Sequence, residues 1–447
     1  MDGDGNGRYA EPSDEKGQIA MLDRIRGKYD VVVVGGGPGG MGAALGARDS
    51  GAERVLILDR EPEVGGILLQ CIHSGFGLHH FREELTGPEY AERFFEKVIQ
   101  YDVDLATNAY VSGIAIDSNG TKQVRVMNEQ RGLFTVDTKS VVLSMGCRER
   151  TRGSIRIPGT RPSGVLTAGL AQKLVNLEGY LPGKRIAVLG SGDIGLIMAR
   201  RLTLEGCKVV GVFEIMPYSN GLTRNVVQCL DDFGIPLHLS TMVAYIYGRD
   251  RIEKITVAPV EKDFKPDMSR ARDVKCDTLL LSIGLIPENE LSQSLGIHLD
   301  VITGGPRVSS TLETSMPGVF ACGNVLHVHD LVDFVTQESI LAGQFAGEWS
   351  RGIQRPMDNI RLVPGDNVHY CLPHTLSPER EHTIYMRCKE ALKPCRIRVG
   401  NLMEKKLRFV VPAEMIMFKI KPELLEKFQG GTLRIDLVPD TQGENDG

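Results

Sequence analysis

A pattern of strand, glycine-rich turn, helix and strand occurs twice in this chain and limits the folds that the chain can adopt. Residues 29–60 contain the first copy, whose second strand ends at Asp59. Residues 185–214 contain the second copy, whose second strand ends at Glu214. In both copies the acidic residue follows the first glycine of the turn by 24 positions and the third by 19. Units of this kind build a parallel sheet with helices on its faces, so the repeat predicts an α/β chain with two such domains.

The residue types in each copy fit the binding of a dinucleotide. Glycines allow a tight turn and let backbone N–H groups approach a pyrophosphate at the helix N-terminus. The carboxylate that ends the second strand can accept a hydrogen bond from a ribose hydroxyl. A glycine-rich turn that serves only helix–strand packing remains the alternative for each copy. The glycines of the G-x-G-x-x-G pattern are Gly35, Gly37 and Gly40 in the first copy and Gly190, Gly192 and Gly195 in the second.

The two copies, in this order, resemble the two-dinucleotide-binding flavoprotein superfamily, which has the fold of glutathione and thioredoxin reductases. Three later stretches fit the same pattern: SVVLSMG at 140–146, CDTLLLSIGLIPEN at 276–289 and TSMPGVFACGN at 314–324. The resemblance implies that the first copy holds FAD and the second holds a pyridine nucleotide. The chain departs from the family pattern at Asn324, where an aspartate is usual. An amide still donates and accepts hydrogen bonds, but it carries no charge.

Glu214 bears on which pyridine nucleotide is bound. A carboxylate at this place bonds the 2′-OH of NAD(H) and repels the 2′-phosphate of NADP(H). The sequence therefore predicts that NAD(H) is preferred over NADP(H). Arg224 and nearby basic residues weaken that preference, because they could pair with a phosphate.

The resemblance and the composition together predict a domain division and a set of cofactor-binding residues. We expect a disordered tail at 1–27, a discontinuous FAD-binding domain at 28–160 and 285–353, an NAD-binding domain at 161–284 and a C-terminal β-rich domain at 356–447. The residues expected to bind FAD are Gly35, Gly37, Pro38, Gly39, Gly40, Asp59, Arg60, Gly66, Gly146, Gly323 and Asn324. The residues expected to bind NAD(H) are Gly190, Gly192, Asp193, Ile194, Gly195 and Glu214.

At closer range, stretches such as QCIHSGFG (70–77) and ACGNVLHVHDLVDFV (321–335) resemble bacterial FAD/NAD oxidoreductases associated with glycerol-3-phosphate dehydrogenases. More distantly, the chain is similar to α subunits of heteromeric amine, opine and amino-acid dehydrogenases. The resemblance implies electron transfer between NAD(H) and a partner flavoprotein or small acceptor. A stand-alone NADH oxidase or NADH:acceptor reductase is the first alternative. A non-catalytic dinucleotide-binding redox sensor or scaffold is the alternative from another class.

The loop after the first copy supplies one cysteine, Cys71, where disulfide reductases of this fold need two thiols beside the flavin. None of the nine cysteines belongs to a CxxC pair. Cys71 is interpreted either as a small residue packed under FAD or as a single reactive thiol that cycles through a sulfenic acid. His73, in the same loop, either contacts the flavin or an acceptor, or bonds the backbone.

His327 and His329 form a second candidate cluster, directly after the expected flavin-binding strand. They could act as acid/base residues or line a channel to the partner. Because no third ligand stands at a suitable spacing, the sequence predicts no metal site. Asp330 is expected to cap the helix that follows, whose N-terminus would face the flavin.

Composition and charge argue against several other classes. The net charge of −5, without a basic stripe, predicts no nucleic-acid partner. The sequence contains no run of 18 apolar residues, so it predicts no membrane span. The scattered cysteines suit reduced thiols in a cytoplasm. Short alternating runs between 358 and 437 predict a small all-β sandwich, which we interpret as a docking or oligomerisation module of a homo- or hetero-oligomer.

Overall fold

The computed structural model describes residues 25–261 and 263–440, so most of the expected tail at 1–27 lies outside the described residues. In the first part the strands are β1 (Lys28–Val34), β2 (Val55–Leu58), β3 (Ser74–Phe76), β4 (Leu85–Thr86), β5 (Asp104–Ala106), β6 (Tyr110–Ile116), β7 (Lys122–Asn128), β8 (Gly132–Leu143) and β9 (Cys147–Glu149). The helices here are α1 (Pro38–Asp49), α2 (Gly87–Gln100) and α3 (Arg152–Ile155), with a 3₁₀ turn at Gly66–Gln70.

The middle of the chain has the strands β10 (Val165–Thr167), β11 (Arg185–Leu189), β12 (Lys208–Phe213), β13 (Leu237–His238), β14 (Thr241–Gly248), β15 (Ile252–Pro259), β16 (Arg272–Lys275) and β17 (Thr278–Leu281). Its helices are α4 (Ala168–Asn176), α5 (Asp193–Leu204) and α6 (Thr223–Cys229), with 3₁₀ turns at Asp231–Phe233 and Met268–Arg270. The return segment contains β18 (Leu285–Pro287), α7 (Glu290–Ser294), β19 (Val319–Ala321), a 3₁₀ turn at Gly323–Val325 and α8 (Val332–Ser350).

The C-terminal part has the strands β20 (Ile360–Pro364), β21 (Val368–Leu372), β22 (Thr375–Leu376), β23 (His382–Cys388), β24 (Cys395–Val399), β25 (Met403–Leu407), β26 (Ile416–Ile420) and β27 (Thr432–Pro439). A four-residue helix, α9 (Pro422–Leu425), precedes the last strand.

The first α/β unit is a seven-stranded sheet built around β1. Strand β1 pairs in parallel with β2 on one side and with β8 on the other, and β19 joins β8 in parallel. The run of valines in β1 is fully or almost fully buried, as expected for a strand covered on both faces. The strand order is β5-β2-β1-β8-β7-β6, so the return segment contributes β19 to a sheet that the first part of the chain begins.

Helices α1 and α8 lie against each other at very short range on this sheet. A Cβ atom at Gly46 would stand 2.0 Å from the carbonyl oxygen of Ile340, and one at Gly343 would stand 1.8 Å from that of Ala43. Neither position has room for a side chain, so glycine is required for the two backbones to approach. This contact fixes α8, which carries Glu338 and Ser339, against α1, and Ser339 lies 3.3 Å from where a Cβ of Gly39 would stand.

The second α/β unit repeats the design with a five-stranded parallel sheet, in the order β10-β17-β11-β12-β13. A three-stranded antiparallel sheet, β14-β15-β16, lies beside it. Strands β9 and β18 pair with each other at the connections between the two units. The predicted α/β architecture with two dinucleotide-binding-type units is confirmed.

The C-terminal part forms two sheets, β22-β20-β27-β24-β25 and β21-β23-β26, which share a buried apolar core. Three of its residues, Tyr370, Leu372 and Tyr385, belong instead to the core of the first α/β unit. This β domain is therefore joined to the first unit by shared packing. In the described ranges, no helix is both long enough and apolar enough to cross a membrane.

Candidate active site

The first glycine-rich turn forms a backbone cradle at the start of α1. A Cβ at Gly40 would stand 1.7 Å from the carbonyl oxygen of Gly35, so a side chain there would force the turn open. A Cβ at Gly37 would meet only Gly66, at 3.8 Å. The cradle is thus closely packed between Gly35 and Gly40 and open in front of Gly37. This shape fits a pyrophosphate that approaches the backbone closely at a helix N-terminus.

Three other residues expected to bind FAD, Pro38, Gly39 and Gly66, lie beside this opening. Pro38 and Gly39 begin α1, and Gly66 begins the 3₁₀ turn opposite Gly37. Gly146 follows β8, with open space where a Cβ would stand. The side chain of Arg60, by contrast, is 60% exposed and lies 3.9 Å from Glu61.

Each acidic residue that ends a second strand supports its glycine-rich turn from below. The N–H of Gly36 donates to Oδ2 of Asp59, and the N–H of Ser191 donates to Oε2 of Glu214 at 2.9 Å. Glu214 also accepts from the Ser191 hydroxyl, at 2.6 Å. Burial raises the pKa of Asp59, which is 8% exposed. A carboxylate has about four acceptor sites, so both groups keep capacity for a ribose hydroxyl.

Two serines that the sequence interpretation missed close the cradles at the neighbouring strand. A Cβ at Gly35 would stand 2.6 Å from the carbonyl oxygen of Ser144, and one at Gly190 would stand 2.1 Å from that of Ser282. The Ser144 hydroxyl donates to the Val34 carbonyl at 2.8 Å. A signal existed in the sequence, because β8 ends at the first residue of LSMG (143–146) and β17 ends at the first residue of LSIG (281–284). The internal repeat therefore extends to a third strand in each unit.

The second cradle is partly covered by the segment that follows Glu214. Oδ1 of Asp193 accepts hydrogen bonds from the N–H of Leu222 at 2.8 Å and from the side chain of Asn225 at 2.7 Å. Asp193 therefore holds this segment against the start of α5. Ile194 is partly buried and packs against the apolar core of the second unit.

The turn after β19 is tied to a fully buried carboxylate on α8. The N–H of Gly323 donates to Oε1 of Glu338 at 2.6 Å. Nε2 of His327 lies 2.8 Å from Oε2, and Nε2 of His329 lies 3.2 Å from Oε1. The N–H of His329 also donates to Oδ1 of Asn324 at 3.0 Å. The two histidines and Glu338, defined here as the His–Glu–His cluster, thus fix the turn that is expected to contact the flavin.

The His–Glu–His cluster is shielded from solvent, with side chains at most 1% exposed. Burial, followed by the neighbouring His329, lowers the pKa of His327 to about 4. Burial would raise the pKa of Glu338, but the two histidines outweigh it and hold that pKa below its usual range. Although the ligand atoms lie within 4.8 Å of one another, the contact distances are those of N–H···O hydrogen bonds. The burial of His327 and His329 does not support the expectation that they line a channel to a partner.

The C-terminal β domain covers this cluster. The ring of Tyr385 lies 5.4 Å from that of His327 and 5.5 Å from that of His329. Arg387 pairs with Asp330 and donates to the carbonyl of Val328 at 3.2 Å. The expectation that Asp330 caps the following helix is wrong. The helix has Leu331 at its N-cap position, and Asp330 is used instead to bind Arg387 and the backbone of Met415.

Cys71 is packed as a thiol rather than presented as a thiolate. Its Sγ lies 3.2 Å from the carbonyl oxygen of Ile67 and 3.9 Å from Oε1 of Gln172. Burial raises its pKa to about 12. A thiol with this pKa is protonated at neutral pH and is a poor nucleophile.

His73 stands where the loop of the first unit meets the second. Its Nδ1 lies 3.0 Å from the carbonyl oxygen of Ser74, and burial lowers its pKa. A cavity of about 190 Å³ opens between this loop and α5, lined by His73, Ile72, Ile197 and Arg200 among others. The first unit's loop and the helix of the second cradle therefore enclose a common space.

The part of the chain that contains both cradles matches a known protein family. Residues 29–344 match the model of the pyridine nucleotide-disulphide oxidoreductases. The chain belongs to this family. Members of the family are FAD-dependent oxidoreductases that act on NAD(P)H, and the open, backbone-lined cradle at Gly37 fits an FAD pyrophosphate. The chain is therefore a flavoprotein oxidoreductase that binds FAD and a pyridine nucleotide.

Several relatives in this oxidoreductase family are components of larger enzymes. The chain is 24% identical to hydrogen cyanide synthase subunit HcnB of Pseudomonas protegens over 81% of this chain and 82% of that protein. It is 28% identical to an opine oxidase subunit of Agrobacterium tumefaciens over 63% of this chain and 57% of that protein. The chain thus spans little more than half the length of the second relative.

Solved structures show the same fold. Thioredoxin reductase of T. acidophilum superimposes with a TM-score of 0.60 at 23% identity, covering 74% of this chain and all (100%) of that one. A NAD-dependent persulfide reductase from A. fulgidus superimposes with a TM-score of 0.56 at 17% identity, covering 88% of this chain and 71% of that one.

Proposed function

We propose that this chain transfers a hydride between NAD(H), held at the second cradle, and FAD, held at the first, and passes the electrons to a partner subunit or small acceptor. The observation that carries the proposal is the pair of equivalent cradles. Each is a glycine-rich turn supported by a buried carboxylate and closed by a serine of the neighbouring strand. The His73 loop of the first unit and residues between 197 and 204 of α5 line one cavity, so the two units lie side by side.

The residues of the chain bind and orient the cofactors in this proposal. FAD, when bound, supplies the two-electron chemistry. The backbone at Gly35, Gly37 and Gly40 holds its pyrophosphate, and Asp59 accepts from its ribose. Asn324 accepts from the N–H of His329 through Oδ1, and its Nδ2 donates to Sγ of Cys147 at 3.5 Å. Nδ2 carries two hydrogens, so the second can donate toward the ribityl chain.

The preference for NAD(H) rests on Glu214 and on where Arg224 lies. The Glu214 carboxylate is 3% exposed and stands beneath the cradle, where a 2′-phosphate would meet a negative charge. The guanidinium of Arg224 points instead toward the first unit, 3.5 Å from where a Cβ of Gly75 would stand. Arg224 is thus directed away from a phosphate at Glu214, which strengthens the proposed preference.

We further propose that the reaction proceeds without a redox-active disulfide. All nine cysteines lie in the described ranges and are free thiols. Burial raises the pKa of both Cys71 and Cys147, to about 12 and about 11. Neither is therefore a thiolate near neutral pH.

Reduced, mostly buried thiols also support a cytoplasmic location.

The partner is proposed to be a dehydrogenase subunit of the glycerol-3-phosphate, amine or amino-acid type. Support comes from the sequence resemblance and from relatives that are themselves subunits, of opine oxidase and of sarcosine oxidase. A stand-alone NADH:acceptor reductase is the second candidate, supported by the similarity to the NAD(P)H sulfur oxidoreductase of Pyrococcus abyssi.

An anaerobic titration of the purified chain tests the proposal. We expect bound oxidised flavin that bleaches with one equivalent of NADH, and more slowly with NADPH. A chain that is colourless and cannot be reconstituted with FAD would refute it. A panel of acceptors then separates the two versions: fast turnover of the isolated chain with oxygen or quinones favours the stand-alone reductase, and a stable heteromer on co-purification favours the relay.

A further inference from the structure

Glu338 is a buried carboxylate that the proposed transfer of hydride does not use. It lies on α8, and three groups approach its two oxygens: the N–H of Gly323 and Nε2 of His327 and His329. These donors satisfy the carboxylate in its ionised form. Its side chain is 1% exposed, so water does not screen the charge.

The two histidines supply hydrogen bonds to Glu338 but no compensating charge. Nδ1 of His327 and Nδ1 of His329 are both buried without a hydrogen-bond partner. An imidazolium donates from both nitrogens, so a charged ring here would bury an unpaired N–H. In the neutral form of each imidazole, the proton on Nε2 is donated to Glu338. The unpaired Nδ1 is then only an acceptor, and burying an unpaired acceptor costs less than burying an unpaired N–H. The cluster therefore carries a net negative charge.

The nearest cationic group that faces the cluster from the C-terminal domain is already paired. Arg387 binds Asp330, which lies in the same loop as the histidines. Tyr370 and Tyr385 also face the cluster, and burial raises the pKa of both phenols, so they are neutral. The charge of Glu338 thus acts on its surroundings through a medium of low polarity.

We propose that Glu338 is a fixed negative charge that lowers the reduction potential of the flavin. This inference rests on the proposed function, in which the turn at Gly323 and Asn324 holds the flavin. Reduction by hydride places negative charge on the flavin, and a carboxylate one hydrogen bond behind that turn makes this less favourable. Glu338 is a tuning residue that acts through the turn. A lower reduction potential makes the reduced flavin a better electron donor, which suits a chain that transfers electrons to a partner.

Three variants of the full chain test this inference. Glu338→Gln removes the charge, Glu338→Asp keeps it, and Glu348→Gln removes a carboxylate from the far end of the same helix, where Glu348 pairs with Arg355. The midpoint potential of the bound flavin is measured against reference dyes. We expect Glu338→Gln to favour the reduced flavin by about tenfold, equivalent to about 30 mV for a two-electron couple. Glu338→Asp and Glu348→Gln should stay near wild type.

The outcomes separate this inference from the proposed function. Wild-type protein without flavin, or with flavin that NADH does not reduce, refutes the proposed function. A wild-type flavin that NADH reduces, with an unchanged potential in Glu338→Gln, overturns the role of Glu338 alone. One equivalent of metal that is lost in Glu338→Gln would also overturn it. If Glu338→Gln loses its flavin while Glu338→Asp retains it, Glu338 holds the turn in place rather than tuning the flavin, and the inference is overturned.

Discussion

Cys71 is the residue on which the distinction from disulfide reductases depends. Its thiol is packed against the backbone of Ile67, and burial raises its pKa to about 12. We predict that Cys71→Ser keeps the rate of flavin reduction by NADH within about twofold of wild type, because a hydroxyl can occupy the same space and donate the same hydrogen bond. Stopped-flow absorbance measures this. A loss of more than tenfold would show that the sulfur takes part.

His327 gives the fold a dependence on pH. Its pKa is lowered from 6.5 to about 4 in the folded chain, so the unfolded chain binds more protons between these values. Stability from this group is therefore complete above about pH 6.5 and is lost as the pH falls toward 4. We predict a slope of up to about 1.4 kcal/mol per pH unit in the free energy of unfolding across this window.

Denaturant unfolding at a series of pH values measures that slope, with two variants for comparison. His327→Gln should flatten the curve between pH 6.5 and about 4, while His369→Gln, at an exposed position, should leave it unchanged. Equal slopes in wild type and His327→Gln would contradict the assignment.

At the scale of elements, the loop between β19 and α8 depends on strand β23 of another domain. Arg387 binds Asp330 and the carbonyls of Val328 and Ala413. We predict that Arg387→Ala destabilises the chain by about 3 kcal/mol, because it leaves Asp330 largely buried without its partner. Urea unfolding measures the loss. Arg361→Ala, on exposed β20 surface, should cost less than about 0.5 kcal/mol, and equal effects would contradict the prediction.

The same loop shows where sequence reasoning reaches its limit. The cradles were predictable because glycine spacing and the strand-end acid are local patterns with one geometric meaning. Ser144 and Ser282 could have been found from the repeat of LSMG and LSIG. Glu338 could not, because its approach to the histidines depends on α8 packing against α1. Asp330 was interpreted as a helix cap for the same reason. Its partner, Arg387, lies 57 residues further along the chain, in another domain.

For the whole molecule, the β-rich C-terminal part was predictable from its alternating runs, but its attachment was not. The face that β21 and β23 turn toward the first unit contributes Tyr370, Leu372 and Tyr385 to that unit's core. Alternation identifies which residues are buried, not which domain buries them. The expected docking or oligomerisation role stays a prediction, and any partner surface would have to lie on faces that the first unit leaves open.

This attachment makes a truncated chain informative. Removing residues 356–447 would expose the His–Glu–His cluster and the apolar surface that Tyr385 covers, since Tyr385 is 7% exposed in the full chain. Exposed apolar surface promotes association, and hydration of Glu338 loosens its hold on Gly323. We predict that residues 1–355 lose most of their FAD and aggregate, as measured by flavin absorbance and size-exclusion chromatography. A truncated chain with unchanged flavin content and oligomer size would show that neither the flavin site nor the assembly needs the β domain. Retained flavin with a smaller oligomer would instead assign that domain to assembly alone.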